Sequence, residues 1–405
     1  MKSRIMNTSA VEYVFVGGGV ASLCGIPAVL KRGVSGDQIK WIDRSGFRVG
    51  DFGSILSVGS SVPGNTSVEA YRKVNSGIYQ VLPQCKPADP LTIDSLQASH
   101  VCSLKVAAEP MQYISDQLRT IVDAIQGSVT NINETSEGLR LTIELANGQT
   151  DYITTKRCVL ATGAKPKTAM LPPSHTQIKN IDPNIVFIQT ELKEYLHQHP
   201  GITTVAVIGS SHSAALAVMH LLQAGLTVKQ FMNKEYKFAT PVVDSDGTKY
   251  TKFDNTGLKG DVAGFTKKLL ADFGIYKNKY YRYIGADLLE TNKLMEQHLD
   301  GCSHAVSAIG YEASSTLNIN NQLLSKFSYN KKTTEFTGIK GLFGLGIAFP
   351  QETKAKSGEV EFSVGYSKFW PTVNDPAVVA AWKNNVAGNE SREQDNTSVR
   401  LRAKL

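Results

Sequence analysis

The chain has 405 residues, 41% hydrophobic and 20% charged, with 34 Gly and 15 Pro, an ordinary globular composition with length enough for more than one domain. Disorder, a collagen repeat and a disulfide scaffold are excluded by these figures. The formal net charge of +7 suits an anionic ligand but is too diffuse to point to nucleic acid.

No stretch approaches the roughly 18 to 20 apolar residues of a membrane-spanning helix. The first ten residues carry Lys2 and Arg4 but lack the apolar segment and small-residue cleavage site of a signal peptide. A cytoplasmic protein is expected, with a small-molecule substrate and neither a membrane nor a nucleic acid as partner.

The chain opens with a strand-like run, Val11 to Val16, then Gly17-Gly18-Gly19 and a helical run, Leu23 to Lys31. A short buried strand here delivers the chain to a helix N-terminus, where unpaired N–H groups and the helix dipole attract a pyrophosphate. Gly33 closes the helix, and Gln38 to Asp43 reads as a second strand ending in an acid able to accept ribose hydroxyls. From Arg44 to Thr66 a Gly-rich loop reads as an ordered cover over a ligand, and Ser67 to Val74 and Glu109 to Leu118 read as helices.

Gly138 to Leu145 and Thr150 to Thr154 form a predicted hairpin around Asn147-Gly148. The run from Arg157 is a buried strand ending in Ala161-Thr162-Gly163, small residues where the chain must pass close to another backbone or a ligand.

The opening pattern then recurs. Thr204 to Ile208 is a strand, Gly209-Ser210-Ser211-His212-Ser213-Ala214 a turn, and Leu216 to Gln223 a helix. Neither copy is a perfect G-x-G-x-x-G: the first has Ser22 last, and the second reads Gly209, Ser211, Ala214. Ser211 must tolerate a close approach or donate its hydroxyl to a phosphate. After Gly225 the strand from Thr227 ends at Asn233-Lys234 without an acid, which suits a 2′-phosphate and favours NADPH over NADH. Tyr236 to Lys279 shows little periodicity and reads as an irregular insert that shapes a substrate entrance. Ser303 to Tyr311 contains Ala308-Ile309-Gly310-Tyr311, a counterpart of the Ala-Thr-Gly strand end.

Together, Gly17/Gly18/Gly19, Asp43, Ala161-Thr162-Gly163, Gly209/Ser211/Ala214 and Ala308 to Tyr311 resemble the flavoproteins with two dinucleotide-binding domains, over about residues 11 to 350. The resemblance implies an α/β fold of two Rossmann-like three-layer domains, the NAD(P)H domain inserted in the FAD domain. Its expected boundaries are 1–165 and 305–385 for FAD, 166–304 for NADPH, and a basic tail over 386–405. It implies an FAD site at Gly17, Gly18, Gly19, Ala21, Ser22, Asp43, Arg44, Val129, Ala161, Thr162 and Gly163. It implies an NADPH site at Gly209, Ser210, Ser211, His212 and Ala214, joined by Asn233 and Lys234. One element departs from the family: Gly341 to Ala348 places Ile347 where an Asp usually meets the flavin ribityl chain, leaving the backbone of Gly346 and Ile347 to serve there.

The five cysteines, Cys24, Cys85, Cys102, Cys158 and Cys302, offer no close pair for a disulfide reductase and no metal-ligand spacing. Ser61 to Thr66 and Glu109 to Leu118 resemble segments of the N-hydroxylating and class B flavin monooxygenases. That likeness implies NADPH-driven reduction of FAD followed by reaction with oxygen. Asn65 and Gln112 are the candidate polar contacts at the reacting centre, although Asn65 is also a natural helix cap. A flavin reductase or oxidase without hydroxylation, and a non-catalytic nucleotide-binding protein of the same fold, stand as alternatives. Oligomeric state is not readable.

Overall fold

A computed structural model describes residues 10–50, 52–53, 64, 66–254, 256–272, 274–313, 317–356 and 358–388. Two parallel sheets organise it. The first is built on β1 (Val11–Val16), β2 (Ile39–Asp43), β3 (Asp123–Thr135), β4 (Gly138–Leu145) and β5 (Thr150–Leu160). β3, β2, β1 and β5 run parallel in that order and Leu342–Gly344 extends the sheet beside β5, while β4 pairs antiparallel with both β3 and β5. The predicted second hairpin strand and the Ala-Thr-Gly strand are thus one element. Thr150 to Leu160 runs on without a break because Thr155, at the seam, is buried and its hydroxyl donates to the Val11 carbonyl at 3.1 Å.

The second sheet has β6 (Lys179–Ile181), β7 (Thr204–Ile208), β8 (Thr227–Met232), β9 (Tyr280–Ile284) and β10 (His304–Ser307), all parallel in the order β9, β8, β7, β10, β6. β10 runs through Ser307, so the expected boundary at 304/305 would cut a strand. The crossover lies instead at the antiparallel ribbon of Ala164–Pro166 with Tyr311–Ala313. Parallel pairing decides this point, since a sheet cannot end in mid-strand.

Both β1 and β7 are short apolar runs buried along most of their length, as strands covered on both faces must be. Each feeds a helix, α1 (Val20–Leu30) and α4 (His212–Gln223) in a helix series where α2 is Val68–Val81 and α3 is Leu104–Ile121. Both helices start earlier than the apolar periodicity suggests, because small residues in the first turn let the helix begin against the strand. The insert is also more regular than its sequence implies. It holds a hairpin, Thr240–Val243 with Lys249–Lys252, and α5 (Gly260–Ala271), whose Val262, Ala263 and Leu269 are buried. Its helix face is short and Lys-rich, so periodicity hides it.

After the second domain the chain returns to the first, ending in α6 (Tyr366–Asn374) and α7 (Pro376–Asn384). Fully buried Trp382 of α7 meets Phe15 at 6.2 Å and Phe343 at 5.8 Å between ring centroids, and its carbonyl accepts the Tyr13 hydroxyl at 3.0 Å. This aromatic cluster fastens the C-terminal helices to β1. Truncating such a residue costs about 3 to 5 kcal/mol. No described helix is long and apolar enough to cross a membrane.

Candidate functional site: two glycine turns

At the end of β1 the first turn is dictated by close approach. Gly17 has φ +116°, and a Cβ there would lie 2.2 Å from the Ala161 carbonyl oxygen, so only glycine fits between the two strand ends. Its N–H donates to the Ile42 carbonyl, and its own carbonyl accepts Trp41 Nε1 at 2.9 Å and the Ser22 hydroxyl at 2.6 Å. Ser22 is therefore a clamp on the turn, its hydroxyl committed to Gly17. Gly19 caps α1 with no side-chain hydrogen bond and nothing near its missing Cβ, while its backbone pairs with Val49 of the loop beyond β2. Ala21 is packed in that first turn, and a Cβ on Gly346 (φ +92°) would come within 2.9 Å of its methyl. The late Gly-rich loop thus reaches α1, with Ile347 38% exposed beside it.

Asp43 is buried at the tip of β2 and works mainly for the protein. Its Oδ1 accepts Gly18 N at 2.8 Å, and its Oδ2 accepts Ser45 N at 3.0 Å, Ser45 Oγ at 2.8 Å and Phe47 N at 2.8 Å. Oδ2 is fully committed, whereas Oδ1 keeps acceptor capacity for a hydroxyl. The carboxylate ties the turn to the loop beyond β2. That loop is strained, with Phe47 at φ 63° and Val49 at φ 49°, and both side chains are buried. Ser115 Oγ at 2.9 Å and Gln112 Nε2 at 3.3 Å both donate to the Phe47 carbonyl, and Gln112 also donates to Asp116. The structure places Gln112 as an anchor of this loop; Asn65 lies outside the described residues.

Gly17, Asp43, Arg44, Val129, Thr162 and Leu317 line one cleft of about 520 Å³, its open mouth included. The cleft has ten lining residues, and Gly17, Asp43, Arg44, Val129 and Thr162 among them belong to the set that the family resemblance implies for FAD. Val129 stands at a bulge where the pairing of β3 with β4 shifts register, which re-aims the backbone at the cleft. Thr162 Oγ1 has no partner among the described residues, and Gly163 follows it at φ +71°. A shielded hydroxyl without a partner is costly, so a bound polar ligand would satisfy it. The residues fit the adenosine and pyrophosphate of a dinucleotide.

The second turn repeats the first atom for atom in its backbone. Gly209 has φ +133°, and a Cβ there would lie 2.3 Å from the Ala308 carbonyl oxygen. Its N–H donates to the Phe231 carbonyl at 2.9 Å, and its carbonyl accepts Gln230 Nε2 at 2.8 Å. Ala214 Cβ sits 3.4 Å from that missing Cβ position, which is why a small residue closes the motif. Gln230 occupies the strand position that Trp41 holds in the first sheet, and fully buried Met232 the position of Asp43. Among the described residues no carboxylate holds Ser210 as Asp43 holds Gly18. Instead Gln230 Oε1 accepts Tyr236 Oη at 2.9 Å and Tyr280 Oη at 2.7 Å, in a buried network.

Ser211 caps α4 without a capping hydrogen bond and is exposed. Desolvation, with a contribution from the charge of Lys259, pushes the His212 pKa down to about 4, so its imidazole is neutral. Its Nδ1 has no partner among the described residues. Asn233 and Lys234 are exposed past the tip of β8, and the nearby Glu235 carboxylate is drawn to Arg282 at 3.1 Å. That ion pair removes much of the repulsion a phosphate would meet there.

All five cysteines are free and buried. Burial pushes the Cys85 and Cys302 thiols up to about 11 and the others upward as well, so none is a ready thiolate. No metal-ligating cluster occurs among the described residues. Sequence reasoning missed Trp41, Gln230, Tyr236 and Tyr280. The signal for the first two lies in aligning the strands after each turn, where both point at the first glycine.

No family model matches the chain. Monooxygenase AgnR1 of Paecilomyces divaricatus is 28% identical over 381 residues, spanning 88% of this chain and 94% of that protein. Among solved structures, the FAD-bound cadaverine monooxygenase DfoA of Erwinia amylovora superposes with a TM-score of 0.57 at 12% identity, over 93% of this chain and 95% of its own. Bacillithiol disulfide reductase Bdr from Bacillus cereus gives 0.55 at 13% identity, over 93% of this chain and 100% of its own. The fold is that of the flavoproteins with two dinucleotide-binding domains, and the sequence resembles a monooxygenase.

Proposed function

We propose that the chain is an FAD-dependent oxidoreductase, reduced by NADPH, that hydroxylates a small organic substrate with dioxygen. The observation that carries this is the pair of glycine turns with matching closures, in a chain similar along nearly its whole length to a monooxygenase. Bound FAD would supply the hydride acceptance and oxygen chemistry that protein side chains lack.

The chain's own residues bind and orient. The N-terminus of α1, Gly17 to Gly19, would take the FAD pyrophosphate, with Asp43 Oδ1 and Arg44 at the ribose, Val129 at the adenine and Thr162 along the chain. Gly346 and Ile347 would approach from the far side, the backbone standing in for the carboxylate usual in the family. α4, through Ser210, Ser211 and His212, would hold the NADPH pyrophosphate, and Asn233 with Lys234 the 2′-phosphate. A neutral His212 would act there as a hydrogen-bonding group rather than a cation. Asn65 is the proposed polar contact at the reacting centre, with Gln112 behind it steadying the loop over α1. The cleft between the insert and α6, lined by Tyr250, Thr353, Lys356 and Thr372, is the proposed substrate entrance.

Both expected domain roles are tested by one anaerobic absorbance spectrum, taken before and after NADPH. A yellow protein bleached by NADPH is expected. A colourless protein that neither takes up FAD nor oxidises NADPH overturns the reading.

A further inference from the structure

We infer that Asp254 is a positioning residue, whose carboxylate clasps the NADPH domain to the FAD domain and so fixes how the two bound nucleotides meet. This rests on the cofactor reading above.

Asp254 belongs to the insert of the second domain. Its Oδ1 accepts Lys259 Nζ at 2.7 Å, and its Oδ2 accepts Lys368 Nζ. These two lysines come from different domains. Lys259 caps α5, and its charge reaches His212 in the first turn of the NADPH helix. Lys368 lies on α6, whose Tyr366, Phe369 and Val373 are packed in the core of the first domain. The Phe369 ring comes within 4.0 Å of where a Cβ on Gly346 would stand, next to the first turn of α1. One carboxylate therefore joins a cation beside one glycine turn to a helix beside the other.

The carboxylate follows a strained backbone position. Phe253 before it has φ 58°, with Lys237 Nζ and Lys252 Nζ 4.6 Å and 5.0 Å from its ring centroid. Its carbonyl accepts Gly257 N at 2.7 Å, and a Cβ on Gly257 would lie 2.4 Å from Ala239 N. Burial alone would raise the Asp254 pKa, but the hydrogen bonds and charges of Lys259 and Lys368 outweigh it and hold the carboxyl below its ordinary range. The contact is backed by chain: α5 also begins against the first domain, a Cβ on Gly260 falling 3.2 Å from the Gly64 carbonyl oxygen.

These ion pairs are half-buried, their side chains 24–33% exposed, and the role assigned to them is to fix geometry. Hydride transfer needs reacting atoms within about 3.5 Å, and a misplacement of roughly 1 Å is felt in rate and not in affinity. Asp254 touches neither glycine turn, which separates its effect from nucleotide binding, although with Lys368 it also lines the cleft proposed as the substrate entrance.

The test compares Asp254→Asn, Lys368→Gln and the double variant, each as the full chain with FAD. The expected result is a roughly tenfold slower limiting rate of anaerobic flavin reduction in each single variant, with FAD content and the KM for NADPH within about twofold. The double variant should be no slower than Asp254→Asn alone, because that variant already loses the Asp254–Lys368 pair, and Asp254→Glu should recover part of the rate. A second readout needs no turnover: amide hydrogen exchange over residues 240–258 and 366–374 should rise together in both single variants. Wild-type reduction rates in Asp254→Asn, or a slow rate that tracks lost FAD, would overturn the clasp as a positioning device. If the wild type is not reduced by NADPH at all, the cofactor reading fails, and unchanged exchange in both segments then overturns the clasp separately.

Discussion

The two glycine turns share a backbone and differ in what surrounds it. In both, a glycine at positive φ passes over the carbonyl of an alanine at the end of a neighbouring strand, and a side chain one strand away holds the glycine carbonyl. Around the first, a buried carboxylate gathers four protein donors and shapes a strained loop over the site. Around the second, an apolar Met232 takes that place and a Gln-Tyr-Tyr network does the bracing. On the proposed reading, the geometry common to the two turns receives a dinucleotide, while the polar groups at the next strand would select which nucleotide suits it and how rigidly it is held.

The largest effects should come from the shared feature. Gly17→Ala puts a methyl into the Ala161 carbonyl, and the protein is expected to purify without flavin, read as loss of its visible absorbance. Gly209→Ala should keep the flavin but lose reduction by NADPH by about a hundredfold or more, since the clash is as close and the φ as unfavourable. If either substitution abolished both cofactors' binding, the turns would not be independent sites.

Next come the features that differ. Asp43→Asn leaves too few acceptors for four donors and should cost about 2 to 3 kcal/mol of stability, with weakened FAD retention, measured by denaturant unfolding with and without added FAD. At the second site, Lys234→Ala should raise the KM for NADPH about tenfold and leave that for NADH unchanged, a loss of about 1.4 kcal/mol from one phosphate contact. Equal losses with both nucleotides would refute a 2′-phosphate at Lys234.

A smaller effect concerns His212. Its folded pKa of about 4 lies below an unfolded value of about 6.5, so the unfolded state binds the proton first as pH falls. Stability is full above about pH 6.5 and declines toward pH 4. His212→Gln should flatten that part of the curve by about 1 to 2 kcal/mol, measured by urea unfolding at several pH values. The smallest effect is expected at the thiols: Cys302→Ser and Cys85→Ser should leave NADPH-dependent flavin reduction within about twofold, since neither thiol is a ready thiolate.

The two turns, the acid at the tip of β2 and the strand ends at Ala161-Thr162-Gly163 and Ala308 were legible because each is local: a glycine or a small residue is demanded within a few residues of a strand end. The insert was misread because its helix is short and its apolar face narrow. The crossover was placed too early because nothing between His304 and Ser307 differs in composition from the residues after it. What Ser22 and Gln112 bind was not legible, because the partners of Ser22 and Gln112, the Gly17 carbonyl for one and the Phe47 carbonyl with Asp116 for the other, are set by how the turn and the loop fold back.

By itself the sequence determined that this is a two-turn α/β chain without a dithiol, since spacing along the chain suffices for turns, strands and cysteine pairs. Only the tertiary structure decided that Trp41 and Gln230 hold equivalent places, that Asp43 ties the glycine turn to the loop beyond β2, and that Asp254 stands between two domains. Those relations depend on which strands lie side by side and on residues more than a hundred positions apart meeting in space. Side-chain partners follow from parallel pairing and domain contact, which no local pattern encodes.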